Sequence, residues 1–152
     1  MIDQALVQLV ATAYALPLDL LTAQIQVESG GDPNAFRYEH DFYTRYVKDN
    51  KDAKAAKFGP LAACSYGMLQ VMLEVAYEMG FDGRPEDLFE PRVGLAWGAK
   101  KMQALWAWAG GVQTDYVQAL CAYNGGTGGN SVRPFRNMDY AQKVYTAAGR
   151  SL

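Results

Sequence analysis

The stretch QIQVESGGDPNAF, residues 24–36, closes an apolar segment with a single acid and then breaks the chain at two glycines. Before it, apolar residues recur at the spacing of one helix face, at Leu18, Leu21 and Ile25. Gly30 and Gly31 are typical of a helix end. The spacing therefore predicts a helix over residues 18–29 that carries Glu28 in its last turn, at the edge of the apolar face.

Two effects predict that the Glu28 carboxyl keeps its proton near neutral pH. The apolar face should bury the carboxyl in part, and burial raises a carboxyl pKa because it penalises the charged form. The C-terminal end of a helix carries partial negative charge, which also disfavours a carboxylate. A carboxyl that stays protonated is what general acid catalysis requires. The same spacing also fits an exposed glutamate in a fraying last turn.

Helical spacing recurs along most of the chain, and a length of 152 residues predicts a single domain, residues 1–152. Further helices are expected at about residues 2–14, 68–79, 91–108, 114–122 and 138–148, with Thr114 as an N-cap. Residues 36–58 differ, because they are charged, aromatic and poor in aliphatic side chains, and they predict exposed helices or a mobile flap. We see no repeat and no convincing pair of strands, so the predicted class is mainly α.

The composition excludes several classes of function. Lys+Arg is 14 and Asp+Glu is 16, a formal charge of −2, whereas nucleic acid binding needs a basic face. Two cysteines and one histidine are too few for a structural zinc site, so no metal is expected. His40 lies in a charged stretch and fits a solvated loop better than a Ser-His-Asp site.

No apolar run reaches the ~20 residues of a membrane span. The N-terminus has an acid at Asp3 and no basic leader, so it does not predict a signal peptide. We expect a protein that stays inside the cell that makes it, one that is exported by another route, or an excised domain.

Two further stretches place polar side chains among apolar residues or glycines. Gln70 lies in CSYGMLQVM, residues 64–72, and a side-chain amide can both donate to and accept from the acetamido group of a sugar. Tyr123 and Asn124 lie in CAYNGGTGGN, residues 121–130, which lacks the spacing of a dinucleotide-binding loop. Taken singly, the first stretch also fits the polar flank of a helix, and the second fits a helix end followed by a flexible loop.

The order of these stretches is more specific than any one of them. Glu-Ser-Gly-Gly, Gly-Met-Leu-Gln, Ala-Tyr-Asn-Gly-Gly and a late tyrosine-containing helix follow one another between about residues 17 and 145. This series resembles the lytic transglycosylase family, whose members are similar to soluble lytic transglycosylases and goose-type lysozyme. The resemblance implies a lysozyme-like helical catalytic domain, here with a charged insert at about residues 36–62.

The resemblance also implies an activity and a set of site residues. The substrate would be peptidoglycan, cut between N-acetylmuramic acid and N-acetylglucosamine without a cofactor, and the enzyme is expected to be a monomer. Glu28 matches the catalytic acid, which would protonate the leaving oxygen and then act as base to give a 1,6-anhydro product. The positions that match substrate-binding residues are Ser29, Gln70, Met72, Tyr123, Asn124 and Tyr140.

Two departures from the family pattern leave alternatives open. The insert separates Glu28 from Gln70, and the serine that helps hold the acetamido group in many members has only Ser65 as its nearest counterpart. Hydrolysis would instead need a second carboxylate, for which the candidates are Glu39, Asp41 and Glu74. A third reading is a sugar-binding or virion structural module without activity, and a fourth is a plain helical interaction domain.

The resemblance also implies that the fold brings Cys64 and Cys121 near one another, so a disulfide between them is one expectation. Two buried, reduced thiols are the default expectation. The insert resembles segments of phage-type members, where it would cover the cleft. The resemblance therefore implies a phage endolysin or a tail-associated lytic domain, acting on the wall from the host periplasm or from the virion, or a fragment of a larger bacterial protein.

Overall fold

The computed structural model describes residues 2–152, and helices dominate this part of the chain, so the mainly α prediction is confirmed. The α-helices are α1 (Gln4–Ala13), α2 (Leu18–Ser29), α3 (His40–Phe42), α4 (Leu73–Glu78), α5 (Pro91–Ala109), α6 (Tyr116–Gly125) and α7 (Met138–Ala147). Shorter 3-10 and π-helical segments lie at Tyr43–Val47, Ala56–Ala63, Pro85–Phe89 and Gly111–Gln113.

The prediction that the chain has no strand pair is wrong. A small antiparallel sheet joins β1 (Phe36–Tyr38), β2 (Cys64–Tyr66) and β3 (Val71–Met72) in that order. Strands of two or three residues are too short for apolar alternation to show in the sequence. The sheet pairs the beginning of the insert with the segment that follows it.

Helix α4 begins later than the predicted helix over residues 68–79. Gly67 and Gln70 both have left-handed backbone conformations, with φ of 77° and 50°. The Gln70 backbone N–H donates to the Gly67 carbonyl at 3.2 Å, which makes this segment a turn. Left-handed residues interrupt a right-handed helix, so the helix starts only at Leu73.

Helix α2 has the predicted bounds, but its buried face differs by one residue. Leu20, Leu21 and Ile25 are fully buried, whereas Leu18 is exposed. A second correction concerns α6, which is capped by Asp115 instead of Thr114, because the Asp115 carboxylate accepts the Val117 N–H at 2.9 Å.

The chain divides into two compact units. The first contains Ile2 and Glu28–Gly98, and it holds the sheet, the insert and α4 around buried Leu69, Leu73, Leu88 and Leu95. The second contains Asp3–Val27 and Ala99–Leu152, and its buried side chains include Val7, Leu21, Met102, Leu120 and Val144.

A buried carboxylate anchors the insert inside the first unit. Glu74, on α4, is only 2% exposed, and its two oxygens accept the backbone N–H groups of Lys54 and Ala55 at 2.6 and 2.7 Å. Charge-assisted bonds of this length are among the stronger ones in proteins. The insert is therefore fixed near its C-terminal end, while residues 48–52 are exposed.

Both cysteines are free and buried, in agreement with the default expectation of two thiols. Burial raises the pKa of the Cys64 thiol, and it raises the pKa of Cys121 to about 11. Because the thiolate is the reactive form, both side chains should be almost entirely protonated and unreactive near neutral pH. We expect an alkylating agent to label neither cysteine in the folded chain and both after denaturation, as counted by intact mass. Rapid labelling of the folded chain would contradict the burial of these thiols.

Within residues 2–152 no single helix has the length and apolar character needed to cross a membrane. Only α1 and α2 taken together reach that length and composition, and they form a pair bent by 120°.

Candidate functional site

Glu28 is the penultimate residue of α2 and is half-buried. The next residue, Ser29, donates from its hydroxyl to the Met68 carbonyl at 2.8 Å and accepts the Gly31 N–H at 3.1 Å. One side chain therefore closes the turn after the helix and ties the helix end to the segment that leads to Gln70. This arrangement holds the backbone on the C-terminal side of Glu28 in place.

The turn that carries Gln70 requires glycine at its first position. A Cβ on Gly67 would lie 2.7 Å from the Leu88 carbonyl oxygen, and the φ of 77° disfavours any other residue. The Gly67 N–H donates to the Ala35 carbonyl at 2.8 Å. The Gln70 side chain is half-buried and folds back, with Nε2 donating to the Gly67 carbonyl at 3.0 Å. Gln70 thus belongs to a rigid turn and not to a helix flank.

Ser65 and Met72 are brought together by the sheet. They lie directly opposite each other in the pairing of β2 with β3. Ser65 is 8% exposed and Met72 is half-buried. The first unit therefore combines Glu28, Ser29, Ser65, Gln70 and Met72, and within it a hydrogen bond connects the segments of Ser29 and Gln70.

The remaining predicted site residues belong to the second unit. Tyr123 lies near the end of α6 and is 5% exposed. The Lys101 ammonium lies 4.1 Å from the centre of the Tyr123 ring and donates to the Tyr123 carbonyl at 3.1 Å. A cation in this position attracts both the face of the ring and the negative end of the helix, so it fixes the tyrosine.

Asn124 is exposed, and its Oδ1 accepts a hydrogen bond from Asn137 Nδ2 at 2.8 Å. Asn137 is the N-cap residue of α7, the helix that carries Tyr140. The Tyr140 hydroxyl is 3.2 Å from Gln24 Nε2, which donates to it from a fully buried position on α2. Asn137 therefore links the end of α6 to the start of the helix that bears Tyr140.

The sequence analysis missed Gln24, Lys101 and Asn137. Gln24 lies about one helical turn before Glu28, and a glutamine inside an apolar helix face was a usable signal. Lys101 and Asn137 had no such signal, because the residue that Lys101 contacts is 22 positions away in the sequence and the residue that Asn137 contacts is 13 positions away.

The three candidates for a second carboxylate differ in their surroundings. Both Glu74 oxygens accept backbone N–H groups and the side chain is buried, so Glu74 has a structural role. Glu39 is half-buried and forms an ion pair with Arg37 at 3.0 Å, and Asp41 is exposed on α3. Glu74 is therefore a poor candidate for activating water.

The first unit supplies the half-buried carboxyl group of Glu28 and the amide of Gln70, and the second unit supplies the amide of Asn124 and the phenol groups of Tyr123 and Tyr140. Such groups bind uncharged polar ligands and transfer protons. Among residues 2–152 there is no group of three or more His, Cys, Asp or Glu side chains that could hold a metal ion.

Comparison with known proteins identifies one family. A family model described as "Transglycosylase SLT domain" matches residues 5–145, which is most of the chain. No curated protein and no solved structure matches the chain.

Proposed function

The chain belongs to the transglycosylase SLT domain family of lytic transglycosylases, enzymes that act on peptidoglycan, and we propose from this premise that Glu28 is its catalytic acid. The bond cut would be the β-1,4 link between N-acetylmuramic acid and N-acetylglucosamine. The observation that carries the proposal is the family match across residues 5–145, combined with a half-buried glutamate followed by an anchored serine.

The proposed reaction uses one carboxyl group twice. Glu28 gives its proton to the glycosidic oxygen, the bond from that oxygen to C1 of the muramic acid breaks, and N-acetylglucosamine leaves with a free 4-hydroxyl. The Glu28 carboxylate then takes the proton of the 6-hydroxyl on the same muramic acid. The 6-oxygen bonds to C1, the 1,6-anhydro ring closes, and Glu28 is protonated again. No water is consumed, and no metal or organic cofactor takes part.

The other site residues would bind and orient the glycan. In the first unit, the proposed sugar contacts are Gln70 in its turn, with Ser29, Ser65 and Met72. In the second unit, the proposed sugar contacts are Tyr123, Asn124 and Tyr140, each of which has a hydrogen-bond or cation partner. These partners favour fixed side chains, which lowers the entropy cost of binding a sugar.

Hydrolysis by a lysozyme-type mechanism is the second candidate for the same bond. It is favoured only by the presence of Glu39 and Asp41 in the insert of the first unit, since Glu74 is buried and both of its oxygens accept backbone N–H groups. Inverting and retaining hydrolases both need a second carboxylate at a defined separation from the first.

Mass analysis of digested cell walls tests the proposal. We expect muropeptides that end in 1,6-anhydro-muramic acid and are lighter by one water than the products of hydrolysis, because O6 replaces water as the nucleophile. A muramidase of known hydrolytic activity serves as the control on the same walls. Reducing ends in place of anhydro ends would overturn the proposed chemistry, while tight binding of the wall without turnover would indicate a binding module.

The phage origin and the place of action are also proposals. The charged insert supports a phage-type endolysin or tail-associated domain that reaches the wall from the host periplasm or from the virion. Adding the purified chain to intact cells and to isolated walls, and expressing it inside cells with and without an export signal, would separate these settings.

A further inference from the structure

A buried asparagine organises the glycine-rich loop after α6. Asn130 is fully buried, and its Oδ1 accepts the backbone N–H of Asn137 at 3.1 Å. Its Nδ2 lies 2.8 Å from the Gly126 carbonyl and 3.2 Å from the Cys121 carbonyl. A backbone N–H only donates and a carbonyl only accepts, so the two ends of this amide can be told apart by their partners.

The orientation of Asn130 determines that of Asn137. Asn130 Nδ2 carries two hydrogens, and its two shortest contacts are the Gly126 carbonyl at 2.8 Å and Asn137 Oδ1 at 3.0 Å, so one N–H faces Asn137 and requires an acceptor there. With its oxygen turned toward Asn130, Asn137 directs Nδ2 to Asn124 Oδ1 at 2.8 Å. If the Asn137 amide were rotated by 180°, its NH₂ group would face the NH₂ group of Asn130, and its oxygen would face the oxygen of Asn124.

The orientation of the Asn137 amide in turn determines the orientation of the Asn124 amide. Its oxygen is engaged by Asn137, so the group it presents outward is its NH₂. Because Asn124 is exposed, this donor is accessible to a ligand. The three side chains form an amide relay, Asn130–Asn137–Asn124, that starts at backbone groups and ends at the surface.

One glycine makes room for the relay, because a Cβ on Gly125 would overlap the side-chain amide of Asn137. A Cβ on Gly129 would overlap the Arg136 guanidinium, whereas a Cβ on Gly126 or Gly128 would meet no atom within 4 Å. Gln118 Nε2 also donates to the Asn130 carbonyl at 3.1 Å, which holds the backbone of the loop. Gly125 is thus required by close packing against the relay.

We infer that Asn130 and Asn137 are positioning residues that present Asn124 to the substrate as a hydrogen-bond donor only. This inference rests on the proposed function. The matching substrate group must accept a hydrogen bond, and an amide carbonyl oxygen such as that of an N-acetyl group is a stronger acceptor than the hydroxyl and ether oxygens of the sugar. The ammonium of a de-N-acetylated sugar only donates, so it would face the Asn124 NH₂ without a partner. The enzyme should therefore select N-acetylated over de-N-acetylated glycan.

The substitution Asn137→Asp tests the relay by reversing its polarity. A carboxylate still accepts from Asn130, but it accepts from Asn124 as well, so the Asn124 amide should turn and present its oxygen. Loss of one substrate hydrogen bond is expected to raise KM for N-acetylated wall about tenfold, with a smaller change in kcat. The ratio of kcat/KM for N-acetylated over chemically de-N-acetylated wall should fall.

Two variants complete the experiment. Gln142→Glu makes the same amide-to-carboxylate change at an exposed position on α7 and should leave the ratio unchanged. Asn124→Asp replaces the donor itself and should lower the ratio as Asn137→Asp does, even if the latter folds poorly. An altered ratio in Asn124→Asp with an unaltered ratio in a folded Asn137→Asp would overturn the relay. Equal losses on both substrates in Asn137→Asp, together with a lower Tm, would also overturn it, because they indicate a purely structural role.

A binding measurement separates this inference from the proposed reaction. Calorimetry with an oligomer of N-acetylglucosamine and with its de-N-acetylated form reads the same preference without turnover. If the wild type cuts no wall but prefers the N-acetylated oligomer, and Asn137→Asp loses that preference, the proposed function fails and the relay stands. If the wild type cuts wall and shows no preference between the oligomers, the relay fails and the proposed function stands.

Discussion

Glu28→Gln is expected to lower the rate of cell-wall lysis by about 10³-fold or more, within the range for loss of a general acid that also serves as base. The amide has nearly the shape of the carboxyl group, but it neither gives up a proton to the glycosidic oxygen nor takes one from the 6-hydroxyl. The decrease should appear in kcat, since the amide keeps polar contacts with the glycan. The measurement is the initial rate at which a suspension of purified walls clears.

The matched control is Glu86→Gln, the same change at an exposed glutamate on the 3-10 segment Pro85–Phe89. It should lyse walls at the wild-type rate. Circular dichroism and Tm should be the same for both variants and the wild type. A folded Glu28→Gln variant that clears walls as fast as the control would show that Glu28 is not the acid.

Glu74→Ala is expected to destabilise the first unit strongly. It leaves the backbone N–H groups of Lys54 and Ala55 without their acceptors and opens a cavity beside fully buried Ala55. An unsatisfied buried donor costs about 1–3 kcal/mol, so we expect a loss of about 3 kcal/mol and a Tm lower by roughly 6–12 °C.

Hydrogen exchange identifies the origin of this loss. The amides of Lys54 and Ala55 should exchange faster in Glu74→Ala, while those of α6 and α7 in the second unit should change much less. Glu86→Ala, the same change at an exposed glutamate of the first unit, is the control and should keep both amides protected. Unchanged protection at Lys54 and Ala55 in Glu74→Ala would contradict the anchoring role of Glu74.

The helices could be predicted from the sequence because their signals are local. The apolar spacing before Glu28 and the two glycines after it gave α2 its observed bounds, and α5 and α7 were predicted to within one residue at each end. A period that is repeated over three or more turns is the strongest pattern that a single sequence offers. The candidate site residues came from the order of motifs and not from any one of them.

The features of the fold and the site that could not be predicted from the sequence depend on contacts between residues that are distant in the sequence. The strands contain two or three residues each, and their pairing joins segments on either side of the insert. Gln70 was predicted to lie on a helix because MLQVMLEV is apolar at helical spacing, yet Gly67 and Gln70 turn the chain the other way. The orientation of the Asn124 amide depends on Asn130 and Asn137, whose roles follow only from the fold of the loop.

The position of β1 has a consequence for the behaviour of the chain in concentrated solution. β1 is an outer strand of the sheet, and its aromatic side chains Phe36 and Tyr38 are 52% and 41% exposed. An open strand edge with exposed apolar groups is a template for fibril growth between molecules. Here the strand is only three residues long and has the charged side chain of Arg37 at its centre. The short length of this edge and the charge at its centre both disfavour pairing with a second copy, although the two aromatic rings beside the arginine are accessible.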